Sequence, residues 1–376
     1  MQILVVGGGV IGLNIALDLV RDGHDVQLLE REIPGQRASW CSAGLLTPSS
    51  PWNYGAPLIE LAHLSETLYP DLVADLLEHT GIDSEYEIAG MLYPEGVGAD
   101  ATKVADETAR RNALGFATEP LGRAQLDVLQ PGFAAKVTGA GWQPHSARLR
   151  PPRLLAAMRR RAVGLGVLVT SHCDVTGILG DARGVRGVAT STGQDLPADV
   201  VVLAAGAWAS SLATTIGVEI DVRPVRGQIL LLRGEPGLLG PTVNNGDSYL
   251  LPRRDGRVLV GSTMEDAGFD AVTTPEAIAR LRGLARAIFP STEHMVGETA
   301  WAGLRPGTPD RLPYIGPVDD VPGLLLATGH YRNGILLAPI TARLIADVVA
   351  GRDTQVDLSP FAPRPLDPDT TLVPTP

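Results

Sequence analysis

Lysine is nearly absent from this chain of 376 residues: only Lys103 and Lys136 occur, and arginine carries almost all of the positive charge. The net charge is −11 with no basic block, which argues against a large nucleic-acid or anionic-membrane surface. Cysteine is equally scarce. Cys41 and Cys173 are too few for a disulfide framework and have no metal-ligand spacing, consistent with a reducing, cytoplasmic compartment. No apolar run is long enough to span a bilayer, and the first strand begins at residue 2 or 3, so no secretory leader is expected. A composition 44% hydrophobic and 19% charged is that of a soluble globular protein, with length enough for two cores.

What is present is organised around residues 3–30. Ile3-Leu4-Val5-Val6 reads as a buried parallel strand, chargeless and rich in β-branched residues. Gly7-Gly8-Gly9 turns the chain into a helix that starts at Val10-Ile11. In Gly7-x-Gly9-x-x-Gly12 the first glycine permits the turn, the second admits a pyrophosphate to backbone N–H groups, and the third lets helix and strand pack closely. Polar residues fall on one helical stripe, Asn14, Asp18, Arg21 and Asp22, which predicts burial of the other faces. The helix N-terminus offers partial positive charge to phosphate. Gly23 ends the helix, residues 26–29 form a second strand, and Glu30 stands where a carboxylate accepts ribose hydroxyls. This is a dinucleotide cradle, suited to FAD or NAD alike.

Further along, residues 57–80 predict two helical pieces broken at Pro70, and residues 88–93 a strand. Helices are expected at 103–114, 124–129, 151–164, 275–288 and 337–349. A second buried parallel strand is read at 200–206, preceded by short strands at 140–143, 167–169, 175–178 and 185–190. From Arg223 to Leu304 the pattern changes to alternation, with strands at 226–232, 248–252, 257–262 and 297–304 and a hairpin turn at Asp255-Gly256. The chain then returns to the nucleotide unit through 324–329. The expected fold is α/β: a Rossmann-like unit in three segments, 1–85, 145–220 and 305–365, with an inserted α+β unit carrying a mixed or antiparallel sheet, 86–144 and 221–304, and a tail from 366 to 376. The segment His330-Tyr331-Arg332-Asn333-Gly334 before the last helix reads equally as an ordinary strand-loop-helix or as a helix N-terminus that could stabilise negative charge on a reduced flavin ring.

Five stretches together resemble the D-amino acid oxidase family of flavoproteins, on its glycine-oxidising, thiamine-synthesis branch. They are the N-terminal fingerprint closing on Glu30-Arg31; Ala38-Ser39-Trp40 with Ala43-Gly44; Pro224-Val225-Arg226-Gly227-Gln228; Trp301 to Pro306 with Thr308-Pro309-Asp310; and Gly329 to Ile335. The likeness runs from Met1 to about Gly351. It implies FAD, non-covalently held, and oxidative deamination of glycine, sarcosine or a small D-amino acid by hydride transfer to flavin N5, with O2 reduced to hydrogen peroxide. It also implies a flavin shell of Gly7, Gly9, Val10, Ile11, Gly12, Glu30, Arg31, Ala38, Ser39, Ala43, Gly44, Leu45, Val175, Gly206, Arg305, His330, Tyr331, Arg332, Asn333, Gly334 and Ile335.

Carried over residue by residue, Arg305 matches the arginine that binds the substrate carboxylate and Tyr249 the tyrosine that bonds the same group. Met264 matches a pocket-lining position, and Arg332 a second arginine at the pocket mouth. A guanidinium fork meets a carboxylate with two hydrogen bonds and keeps its charge at any working pH. Relatives that tether their flavin through a histidine after a tryptophan have that position occupied here by Cys41, read as a small buried hydrophobe. The attachment cysteine of sarcosine oxidases falls near Gly303, so that tether is absent. The expected partners are a small amino acid and O2, with a homo-oligomeric assembly. A dehydrogenase handing electrons to a quinone or carrier protein, a flavin domain acting on a tRNA base, and a flavoprotein subunit of a larger oxidase stay open as alternatives.

Overall fold

A computed structural model describes residues 1–48, 54–95, 103–181, 183–246, 248–364 and 370–373. The 366–376 tail of the sequence reading lies largely outside the described residues. A six-stranded sheet carries the nucleotide motif, in the order 314–317, 324–328, 200–203, 2–6, 25–29, 168–170. Every pairing is parallel except that of the 314–317 edge strand. Strand Gln2–Val6 is central, and Ile3, Leu4 and Val5 are fully buried because helices cover one face and a three-stranded antiparallel sheet with a short helix the other. Helix Val10–Arg21 packs against helices Pro151–Gly164 and Gly334–Val349. The polar stripe of this helix is not wholly at the surface, since Asn14 is buried.

An eight-stranded mixed sheet runs in the order 296–307, 223–233, 257–261, 248–252, 242–245, 91–94, 139–143, 119–122. Strict alternation gives it two apolar faces. Leu230, Leu232, Leu250, Val258 and Val260 pack with helix Pro275–Ile288, while Ile229, Leu231, Tyr249, Leu251 and Leu259 form the opposite face with Ala43. That period-2 alternation is what aims Tyr249 toward the nucleotide unit.

Three sequence expectations need correction. Pro70 does not break its helix: one helix runs Ala56–Thr80 through it. Its two halves bury Leu58, Leu61, Ala62, Tyr69 and Leu76 in a single core, and Ser65 Oγ and Tyr69 Oη donate to the carbonyls of Leu336 and Ile335. Those ties outweigh the lost hydrogen bond at an exposed proline. The 88–93 strand is two, Glu87–Ile88 and Met91–Pro94, parted where the Trp142 ring packs on Gly90. The last helix begins at Gly334, three residues before 337, with Asn333 as its N-cap. Strands 119–122, 242–245 and 314–317 and helix 209–214 had no distinct sequence signal.

Candidate active site

Between the two large sheets lies a cavity of ≈ 510 Å³. One end is the glycine turn: Gly7, Gly9, Val10 and Ile11 line it with Glu30, Arg31, Asp174 and Val175. Gly7 adopts φ +111°, and a Cβ there would strike the Ala204 carbonyl. Gly12 does not line the cavity; it lies against the Gly7 carbonyl, the close helix–strand packing expected of a third glycine. Glu30 accepts from the backbone N–H groups of Gly8 (2.8 Å) and Glu32 (3.0 Å), so it braces the turn as well as lining the cavity. Burial raises its pKa, and the bond from Gly8 opposes that rise. Val10 N–H donates to Ser39 Oγ (3.0 Å), and the Arg31 guanidinium stacks 4.5 Å from the Trp208 ring centroid. Ala38, Ala43, Gly44, Leu45 and Gly206 form the adjoining walls.

The other end is built by residues 303–306, 327–328, 330–335, Tyr249 and Ser262. Arg305 is partly accessible and lines the cavity. Its Nη2 donates to Ser262 Oγ (2.6 Å) and its Nη1 to the carbonyls of Thr263 (3.0 Å) and Arg226 (3.4 Å). Among the described residues it has no ion-pair partner. Burial, and then the charge of Arg332, lower its pKa. A Cβ on Gly227 would overlap this guanidinium, which is why the sheet carries glycine there. Tyr249 is buried and its pKa is raised, first by burial.

His330 is buried, its Nε2 lies 3.0 Å from Thr341 Oγ1, and burial pushes its pKa down to about 3. It is a neutral ring. Tyr331 takes φ +48°, its N–H donates to the Pro306 carbonyl (2.8 Å), and its hydroxyl donates to the Leu372 carbonyl (3.3 Å). Arg332, Asn333, Gly334 and Ile335 complete this wall. Met264 does not line the cavity: its sulfur lies 3.4 Å from Tyr331 Oη and 3.9 Å from Arg332 Nη1, backing both. Asn333 is buried and its Nδ2 has no hydrogen-bond partner among the described residues. An orphaned donor on a cavity wall is unfavourable unless a ligand accepts from it.

The model of the FAD dependent oxidoreductase (DAO) family matches residues 2–348. The chain belongs to that family. This oxidoreductase is 40% identical to glycine oxidase of Pseudomonas aeruginosa over 363 residues, 96% of this chain and 98% of that one. It is 36% identical to the bifunctional protein ThiO/ThiG of Trichormus variabilis, matching 96% of this chain and 54% of the longer protein. The crystal structure of glycine oxidase from Geobacillus kaustophilus superposes with a TM-score of 0.91 at 32% identity, covering 96% and 98% of the two chains.

FAD is thus the cofactor, and the cavity fits it: a glycine turn open to phosphate, a long walled trough, and the unpartnered Asn333 Nδ2 at its far end. Cys41 lines the same cavity, donates to the Ala302 carbonyl (3.2 Å), and burial raises its thiol to about 11. A protonated thiol is a poor nucleophile for a tether. Gly303 lies against it, where an added Cβ would come within 2.7 Å of Cys41 Cβ. Ser262 and Thr263, which hold Arg305, went unnoticed in the sequence. Their only signal is a small polar pair just past a strand end.

Proposed function

We propose that this oxidoreductase is a glycine oxidase. It oxidatively deaminates glycine, and also sarcosine or small D-amino acids, with water and O2 as co-substrates; glycine gives glyoxylate, ammonia and hydrogen peroxide. The observation that carries the reading is Arg305: a half-buried guanidinium on a cavity wall, held among the described residues only by neutral oxygens, beside buried Tyr249. A cation so placed calls for an anionic ligand, and its planar fork matches a carboxylate.

Arg305 binds the substrate carboxylate and Tyr249 donates to the same group, which fixes the orientation of Cα and leaves the amine free. Arg332 guards the mouth, with Met264 supporting it from behind. His330, neutral and bonded to Thr341, holds the turn into helix Gly334–Val349 instead of moving a proton. Bound FAD would supply the acceptor for the substrate's Cα hydride and the route for its two electrons to O2. FAD would be held by Gly7, Gly9, Val10, Ile11, Glu30, Arg31, Ala38, Ser39, Ala43, Gly44, Leu45, Val175, Gly206 and residues 330–335, with Gly12 shaping the turn from behind. Residues 1–85, 145–220 and 305–365 serve the flavin, and 86–144 and 221–304 the substrate. A cytoplasmic homo-oligomer supplying thiamine synthesis completes the proposal; no helix among the described residues is long and apolar enough to cross a membrane.

Anaerobic mixing tests this. Glycine, sarcosine or D-alanine should bleach the flavin absorbance, and readmitted air should restore it with stoichiometric peroxide. If none of the three reduces the flavin, the reading fails; if reduction occurs but air reoxidises the flavin far more slowly than a quinone does, the protein is a dehydrogenase.

A further inference from the structure

Arg253 stands outside the cavity yet is built into its wall. It is 7% exposed and lies at the tip of the hairpin joining strands Ser248–Pro252 and Arg257–Gly261. Its Nη2 donates to the Ala43 carbonyl and its Nη1 to the Leu149 carbonyl, each at 2.7 Å. No carboxylate pairs with it among the described residues. Burial first, then the charges of Arg150 and Arg148, push its pKa down to about 10, so it is still a cation at neutral pH.

The rest of the hairpin tip is anchored from outside. Arg254 bonds Asp83 (3.2 Å) and Glu87 (3.3 Å), and Asp255 accepts from Arg150 (3.1 Å) and Arg257 (2.8 Å). The tip is therefore fixed without Arg253, whose long side chain reaches past it to the backbone of the cavity wall. Ala43, Gly44 and Leu45 line the cavity, and the segment is pinned to 147–149 by Leu149 N–H to Gly44 O (2.9 Å) and Leu46 N–H to Ala147 O (3.1 Å). Arg253 joins three pieces through one side chain: this wall, the strand end at Leu149, and the eight-stranded sheet that carries Tyr249 four residues earlier. A buried guanidinium satisfied only by carbonyl dipoles costs stability, so its place is accounted for by what it holds.

We propose that Arg253 is a positioning residue that locks the Ala43–Leu45 wall onto the substrate-bearing sheet and thereby sets flavin affinity and the alignment of Tyr249. The proposal rests on the cavity as the flavin site and not on which amino acid is oxidised.

The test compares Arg253→Met, which keeps length but loses charge and fork, with Arg253→Lys, whose ammonium cannot span two carbonyls in the same geometry. Amide hydrogen exchange of the apoprotein should quicken at 43–46 in Arg253→Met while helix Val10–Arg21 keeps its protection, and the FAD dissociation constant should rise at least about tenfold, the size expected from losing charged hydrogen bonds. At saturating FAD, kcat should fall more than KM rises. Arg253→Lys should lie between the two, and it stands in as the test if Arg253→Met does not fold. Uniform acceleration of exchange across the whole chain with unchanged FAD affinity would mean that Arg253 only stabilises the fold, and wild-type exchange at 43–46 in a folded variant would equally overturn the proposal.

Discussion

At the scale of single residues, the site depends on two groups whose pKa values burial lowers alike but which end with different charges. Arg305 keeps its charge because the Arg226 and Thr263 carbonyls and the Ser262 hydroxyl hold it. Arg305→Ala is expected to leave the FAD spectrum and the fold intact while kcat/KM falls by about 3 to 5 kcal/mol, the loss from breaking one side of a desolvated ion pair. Steady-state kinetics on glycine check this, and wild-type efficiency would move the anchor to Arg332. His330 instead gives up its charge, with its pKa at about 3 when folded against 6.5 for the free side chain. Between those values the unfolded chain binds one proton that the folded protein does not. The His330 contribution to stability is therefore complete above about pH 6.5 and is lost as the pH falls toward 3. A His330→Gln variant should show a smaller gap between its unfolding free energies at pH 7 and about pH 4.5 than the wild type. An unchanged gap would mean that the imidazole is already protonated when folded.

At the scale of elements, helix Ala56–Thr80 is the clearest case of tertiary structure overriding local preference. Proline in a helix interior costs about 3 kcal/mol relative to alanine, and here the shared core and the ties from Ser65 and Tyr69 carry the helix through it. Because Pro70 is exposed, Pro70→Ala removes no packing and restores an N–H that can donate to the Glu66 carbonyl. The urea midpoint should rise, corresponding to about 1 to 3 kcal/mol. A fall would show that the proline shapes the approach of this helix to Leu336. Some elements stand where the pattern put them, whereas the apolar run read as a strand over 200–206 is one only over Val200–Leu203. Helices 151–164 and 275–288 match to the residue, each opened by proline at its first turn, and strand 248–252 matches as well. Short edge strands such as 119–122 lack such a signal because their pairing partners, not their own composition, make them strands.

At the scale of the whole molecule, the flavin should come away intact. With the Cys41 thiol protonated and hydrogen-bonded, and glycine at 303, acid precipitation of the yellow protein should leave unmodified FAD in the supernatant; colour staying with the pellet would promote Cys41 to a tether. By itself the sequence determined the cradle and the fold class, because glycine spacing, apolar period and proline caps act within a few residues of chain. Family resemblance in the sequence also singled out Arg305 and Tyr249 as candidate substrate ligands. Only the tertiary structure decided how they are held. Register places Val225 opposite Arg305 and Gly227 opposite Gly303, so the guanidinium lies over a residue with no side chain and reaches Ser262 and Thr263. It likewise set Met264 behind the wall and brought Arg253 to the Ala43 carbonyl across 210 residues of chain. Contacts between distant segments are fixed by sheet pairing and packing, and no local pattern in the chain encodes them.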